Sequence, residues 1–350
     1  MALVTINGVS VRGISAAVPR KILDNTTAKG PDGADLERVV RSIGINQRRM
    51  AADDQCTSDM CVAAAAPLLA ELGWDPAEIN AVVLVTQTGD YQAPASACII
   101  QHRLGLPLNA LAFDVTLGCS GYIYGLYIVS SLMATGLLKR ALLMAGETAV
   151  RGYSDRDMGG WLLNGDAGTV TALELNPDAD PMTFDLNTDG SGAQHILSPL
   201  GSRHRLTEQS LVYEDVGNGN WRRPIDARLN GMEVFAFAMK RVPETVNAVL
   251  SATGLAKDDI DWFVFHQASH MILEFLRKKI GIPAEKMPYS LDEYGNTSSA
   301  TIPLTIVSRL KEAVTTGKNR LLLTGFGVGL SWGTAQITVD RIVCPDIVEI

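Results

Sequence analysis

The chain has 350 residues, 47% of them hydrophobic and 19% charged, with a formal net charge of -8. That is enough apolar material for a large core, in two domain-sized units or one large layered one. The acidic balance and the lack of a basic stripe argue against nucleic-acid binding, which needs clustered Lys and Arg, and no apolar stretch reaches the roughly 20 residues of a membrane span.

The opening MALVTINGVSVRGIS has no basic flank before an apolar core, so it reads as a strand and not as a signal peptide. A helix follows over 58–73, then a short apolar strand, AVVLVTQ, at 81–87. The pattern repeats with a helix over 121–136 and a strand, RALLMAGE, at 140–147. Residues 176–232 look like excursions, turning at NTDGSG (187–192) and VGNGN (216–220), partly in a sheet and partly capping a site. Then come a strand, WFVFHQ, at 262–267, a helix at 270–281 and a strand, RLLLTGFG, at 320–327. Short apolar runs bounded by turn residues suit strands covered on both faces. Their alternation with helices predicts an α/β fold.

The two halves of the chain resemble each other. GWDPAEINAVVLVTQT, RLGLP, DVTLGCSG and LLKRALLMAGE recur in the same order as GLAKDDIDWFVFHQAS, KIGIP, LDEYGNTSS and GKNRLLLTGFG. Ile79 matches Ile260 at an offset of 181, Gly105 matches Gly281 at 176, Cys119 matches Asn296 at 177 and Gly146 matches Gly325 at 179. The near-constant offset predicts a duplicated βα unit, residues 1–175 and 176–350, related by a pseudo-twofold axis. Cys119 and Asn296 then fall on equivalent loops, and His266 falls at the strand end equivalent to Val85.

Five cysteines are present, Cys56, Cys61, Cys98, Cys119 and Cys344, with no CxxC pair. An odd count without such a pair predicts neither a disulfide framework nor a zinc site, and fits a reducing cytoplasm. Cys119 stands apart: Gly118 and Gly121 flank it, and a helix starts beside it. Free N–H groups and the positive helix end favour a thiolate, although a buried structural cysteine is the commoner arrangement. His266 closes an apolar strand, where an imidazole is costly unless bonded; it is either a satisfied core group or one facing a crevice at the sheet's end. Asn296 sits after a glycine at a loop-to-helix junction, suited to capping, and its amide could also donate to an oxyanion. GFGVGLSWG (325–333) is not a dinucleotide fingerprint, because its spacing is GxGxG. His102, His195 and His204 have no supporting context, and His270 reads as a surface residue.

Taken together, GCSG at Cys119, HQA at His266–Ala268, GNTSSA at Gly295–Ala300 and GFGVGLSWG resemble the β-ketoacyl-acyl-carrier-protein synthase III family of the thiolase superfamily. The resemblance covers nearly the whole chain. It implies a five-layered αβαβα fold, a homodimer and no cofactor or metal, with acyl-coenzyme A or acyl-carrier protein as substrates. Cys119 would accept an acyl primer, and the N–H groups of Cys119 and Val328 would form the oxyanion hole. His266 and Asn296 would hold malonyl-carrier and stabilise the enolate left by decarboxylation. Phe326, Gly327 and Gly329 would line the substrate pocket.

The chain also departs from the family pattern. Arg38 stands where a Trp stacks on the adenine of coenzyme A, Met158 where an Arg sandwiches it, and Met271 where an Arg contacts the carrier or coenzyme phosphate. A carrier protein is therefore expected to supply primer as well as extender. Ala93 stands where an aromatic closes the partner subunit's acyl pocket, which predicts a primer larger than acetyl. The cysteine loop, the glycine loop and the tail also look similar to members from surface-polysaccharide or secondary-metabolite clusters. Two alternatives remain: transfer of the Cys119 acyl group to an amine or hydroxyl, with His266 as base, and service as a non-catalytic partner subunit, against which the presence of Cys119, His266 and Asn296 counts.

Overall fold

The computed structural model describes residues 2–30, 33, 35–201 and 203–350. Two main sheets carry the fold. One has strands in the order Val348–Glu349, Val9–Val18, Ala167–Leu175, Arg140–Glu147, Ala81–Val85, Leu111–Val115. The other runs Ala2–Ile6, Met182–Thr188, Ser331–Asp340, Lys318–Gly327, Trp262–Phe265. The predicted runs are these strands: 81–87 stops at Val85 and 262–267 at Phe265, where polar residues begin, 140–147 is matched in full, and 320–327 begins two residues earlier, at Lys318.

The apolar faces dictate the layering. Leu126, Val129 and Met133 of helix Gly121–Met133 and Ile302, Ile306 and Val307 of helix Thr301–Arg309 share one buried cluster. Val83 and Leu143 of the first sheet and Leu321, Leu323 and Ile337 of the second belong to it too. These two helices therefore lie between the sheets. Helix Thr57–Leu72 covers the first sheet's outer face through Met60, Ala64 and Leu68. Helices Gly231–Thr253 and His270–Ile280 cover the second through Val242, Val246, Leu273 and Leu276. The order is αβαβα, with each buried aliphatic side chain contributing about 1.5–3 kcal/mol. Among the described residues no helix is long and apolar enough to cross a membrane.

Strand registers bear on the internal repeat. Arg140–Glu147 runs parallel to Ala81–Val85 and antiparallel to Ala167–Leu175; Lys318–Gly327 runs parallel to Trp262–Phe265 and antiparallel to Ser331–Asp340. Val85 lies opposite Ala145, and Phe265 lies opposite Thr324. With Gly146 and Gly325 equivalent, the counterpart of Val85 is Phe265, so His266 corresponds to Thr86, one residue beyond the expected position. The chain ends cross over: Ala2–Ile6 pairs with Met182–Thr188 in the second sheet, and Val348–Glu349 pairs with Val9–Val18 in the first. From the excursion, Met182–Thr188 joins the second sheet, and Ile196–Leu197 pairs with Arg228–Leu229 over the crevice.

Candidate active site

Cys119 lies between the end of strand Leu111–Val115 and the start of helix Gly121–Met133. The helix can approach the sheet because Gly121 and Gly125 face Val85; a Cβ at Gly121 would fall 2.4 Å from a Val85 methyl. The glycine loop closes over the sulfur from the other half. At Gly327, with φ +154, a Cβ would lie 2.7 Å from Cys119 Cβ and 2.9 Å from Sγ, so only glycine fits. Ser120 Oγ and Ser331 Oγ, 2.6 Å apart, tie the two loops together. The Val328 and Cys119 backbone N–H groups lie against the sulfur and lower its pKa, as a helix start should. Burial outweighs them and pushes the thiol up to about 11, with Glu147 adding to the rise. The expected resting thiolate is therefore corrected: at neutral pH Cys119 is a protonated thiol.

Asn296 is placed by its backbone. Its N–H donates to Leu163 C=O at 2.8 Å, and its C=O accepts from Gly165 N–H at 3.1 Å. That segment is held in turn by Arg48, which is fully buried, donates to Asn164 C=O at 3.1 Å and stacks on Trp161. Asn296 Oδ1 accepts from Ser298 N–H at 2.9 Å, so capping occupies the oxygen and leaves the Nδ2 protons as donors. Ser298 sits in the left-handed region at φ +50, with its Oγ 4.0 Å from Cys119 Sγ. Such backbone strain in a non-glycine residue costs on the order of 1–3 kcal/mol and collects at functional sites.

His266 is 1% exposed, with Phe326 edge-on at 5.5 Å. Burial lowers its pKa to about 3, and the Ser298 carbonyl partly opposes this. The imidazole is therefore neutral at physiological pH. Thr301 Oγ1 lies 2.8 Å from Nδ1 and 2.9 Å from Ser298 C=O. The hydroxyl has one proton for both, so its direction and the ring tautomer are coupled: aimed at the carbonyl it accepts from Nδ1–H, and aimed at the ring it leaves the proton on Nε2.

Cys119, Asn296, Ser298 and Val328 line one cavity of about 140 Å³. His266 lies beside it, its ring against the Ser298 backbone and Thr301 Oγ1. Phe326 and Gly327 stand against His266 and Cys119, whereas Gly329 lies in the turn beyond. Ala93 lines a separate depression of about 910 Å³ beside the edge strand Leu111–Val115, and Gln87 lines both spaces. Met158 packs against Leu36, Val40 and Leu162. Arg38 is exposed on helix Glu37–Ile43, and Met271 is 43% exposed on helix His270–Ile280. Those helices meet where Gly44 faces His270.

Some residues at the site escaped the sequence reading. Glu147 is buried and lines the cavity; its carboxylate accepts from Thr86 Oγ1, Thr88 Oγ1, Gln87 N–H and, across the two halves, Ser299 Oγ. Its signal was available: a lone carboxylate ends the apolar run RALLMAGE, just as His266 ends its own strand. Tyr153 and Asn164 also line the cavity, from a loop with no periodic pattern to reveal them.

An αβαβα fold, with a buried cysteine at the start of the central helix Gly121–Met133 and an asparagine lining the same cavity, defines a condensing enzyme of the thiolase superfamily. Residues 113–190 match the family description 3-Oxoacyl-[acyl-carrier-protein (ACP)] synthase III, and residues 250–339 match its C-terminal counterpart. A β-ketoacyl-[acyl-carrier-protein] synthase III of Thermosynechococcus vestitus is 32% identical over 331 residues, 95% of this chain and 98% of that protein. The synthase III of Caulobacter vibrioides is 34% identical over 330 residues, covering 93% and 98%. A crystal structure of a 3-oxoacyl-(acyl-carrier protein) synthase from Burkholderia xenovorans LB400 superposes with a TM-score of 0.91 at 37% identity, over 99% of each chain. The chain belongs to the β-ketoacyl-acyl-carrier-protein synthase III family.

Proposed function

We propose that the chain catalyses a decarboxylative Claisen condensation between an acyl primer held on Cys119 and malonyl-acyl-carrier protein. The observation that carries this reading is the shared cavity: Cys119 and Asn296 line it together, with the Val328 N–H on the sulfur. In the first step the Cys119 sulfur adds to the primer thioester. The Cys119 and Val328 N–H groups hold the oxyanion, and the thiol proton leaves with the departing thiol. In the second, the malonyl thioester carbonyl accepts hydrogen bonds from Asn296 Nδ2 and His266 Nε2–H. Loss of carbon dioxide leaves an enolate that those two neutral donors stabilise. The enolate carbon attacks the Cys119 thioester, and the sulfur is expelled and takes up one proton.

The same reading makes residues 1–175 and 176–350 the two thiolase-like halves. It makes the protein a cytoplasmic homodimer that needs no cofactor or metal, with acyl-carrier protein as its partner. The half-buried edge strand Leu111–Val115 supports the dimer, since an unpaired edge invites a second chain. The adjacent depression lined by Ala93 is then closed by the partner subunit. The exposed Arg38 and Met271 flank the carrier's approach.

Intact-protein mass spectrometry with acyl thioesters, followed by malonyl-carrier, tests the proposal. The expected result is an adduct on Cys119, its loss in Cys119→Ala, and release of carbon dioxide with a ketoacyl product. An acylated Cys119→Ala protein would refute the nucleophile assignment. Transfer of the acyl group to an amine or hydroxyl without carbon dioxide release would replace condensation by acyl transfer.

A further inference from the structure

Asn296 is held by a short extended segment, and that segment rests on one buried charge. On one side of the segment, Leu163 C=O accepts from Asn296 N–H at 2.8 Å and Gly165 N–H donates to Asn296 C=O at 3.1 Å, a parallel bridge between Asn164 and Asn296. The carbonyls between them point the other way, as in any parallel pair. There Leu162 C=O accepts from Asn25 Nδ2 at 2.9 Å, and Asn164 C=O accepts from Arg48 Nη1 at 3.1 Å. Arg48 Nε donates to Asn25 Oδ1 at 3.1 Å, so one guanidinium organises both anchors. Its carbon lies 4.8 Å from the Trp161 ring centroid, and Arg49 C=O accepts from Asp166 N–H at 2.9 Å. Every residue from 161 to 166 is thus tied either to Asn296 or to Asn25 and the strand Gln47–Arg49.

The fit leaves no slack. A Cβ at Gly295, where φ is +67, would lie 2.9 Å from Leu163 C=O and 3.2 Å from Arg48 Cβ, and one at Gly165 would strike Tyr294 C=O. Packing alone does not call for a charge here. Arg48 is buried, and its bonded partners are a carboxamide, a carbonyl and an indole ring. A charge buried among neutral groups is costly, and a methionine of similar length would fill the space without that cost. What the guanidinium adds is a planar fork of donors fixed in direction. Direction matters at Asn296: Ser298 N–H engages its Oδ1, so the carboxamide cannot re-aim alone. A misplacement of about 1 Å at a reacting group costs on the order of 100-fold. Cys119, at the start of helix Gly121–Met133, and Val328, in the glycine loop, lie outside this segment.

We propose that Arg48 is a positioning residue for malonyl decarboxylation, fixing Asn296 through residues 162–165 without acting on the Cys119 nucleophile. The inference rests on the reading of Asn296 as a donor to the malonyl thioester carbonyl.

Arg48→Met keeps the stem and removes the fork. Carbon dioxide release from malonyl-acyl-carrier protein should slow roughly 10- to 100-fold. Alkylation of Cys119 by iodoacetamide, read by peptide mass, should stay within about twofold of the wild type. Because Arg48 acts through Asn296, adding Arg48→Met to Asn296→Ala should cost little beyond Asn296→Ala alone, whereas independent roles multiply. Equal losses in both readouts, no loss in either, or a multiplied loss in the double variant overturns the inference. If Asn296→Ala leaves no measurable release, the split between the two readouts decides. If Arg48→Met does not fold, Trp161→Leu takes its place. It removes the ring under the guanidinium and should show the same selective loss at smaller size; its failure to do so overturns the inference. In each of these cases the wild type still releases carbon dioxide, and condensation stands. A wild type that releases none overturns the condensation reading and this inference with it.

Discussion

Replacing Glu147 by Gln separates a buried charge from the shape that holds it. The carboxylate is fully buried and its pKa is raised from 4.5 to about 7, because burial outweighs the hydroxyl and backbone donors around it. A carboxyl whose folded pKa lies above its unfolded value binds its proton more tightly in the native state. Its contribution to stability is therefore full below about pH 4.5 and is lost as pH rises through 7. At 1.36 kcal/mol per unit, the interval is worth about 3 kcal/mol, most of which falls between pH 5 and pH 8. Glutamine has no proton to lose. It also turns an NH2 group toward the donors Thr88 Oγ1 at 2.7 Å and Gln87 N–H at 3.1 Å, or toward Ser299 Oγ at 3.3 Å. This costs the variant about 1–3 kcal/mol at every pH. The variant should thus be the less stable protein at pH 5 and should draw level with or pass the wild type by pH 8. Denaturant unfolding of both proteins at the two pH values measures the difference. Asp166, also pushed up by burial, to about 6, is common to both proteins and cancels. Parallel curves would refute the reasoning, since Glu147 would then be ionised throughout, held by its donors.

Two other outcomes follow from the site. With the Cys119 thiol pushed up to about 11, its alkylation rate should climb about tenfold per pH unit from 7 to 9, because the thiolate is the reacting form. A plateau in that range would mean that the backbone donors outweigh burial. Thr301→Val keeps the side-chain shape and removes the hydroxyl between Nδ1 and Ser298 C=O. It should leave Cys119 acylation within about twofold and slow malonyl decarboxylation by roughly 10- to 100-fold, up to the scale of losing one oxyanion donor. Equal losses in both half-reactions would assign Thr301 a purely structural role.

Much of this molecule is legible in its residue order. Apolar runs without alternation announce strands covered on both faces, because the pattern is local and recurs along the chain. A Cys, a His and an Asn at the ends of such runs stand out for the same reason, since polar groups there need partners. Tertiary packing decides the rest. It moves the counterpart of Val85 from His266 to Phe265, because register depends on the neighbouring strand. It turns the expected thiolate into a thiol, because desolvation by distant segments outweighs the local helix start. It lays Tyr153 and Asn164 beside Glu147 around one small cavity, although nothing in the sequence neighbourhoods of the first two points there. Charge state and cavity shape are sums over surroundings that the chain assembles only on folding, whereas strand, turn and repeat are written in consecutive residues.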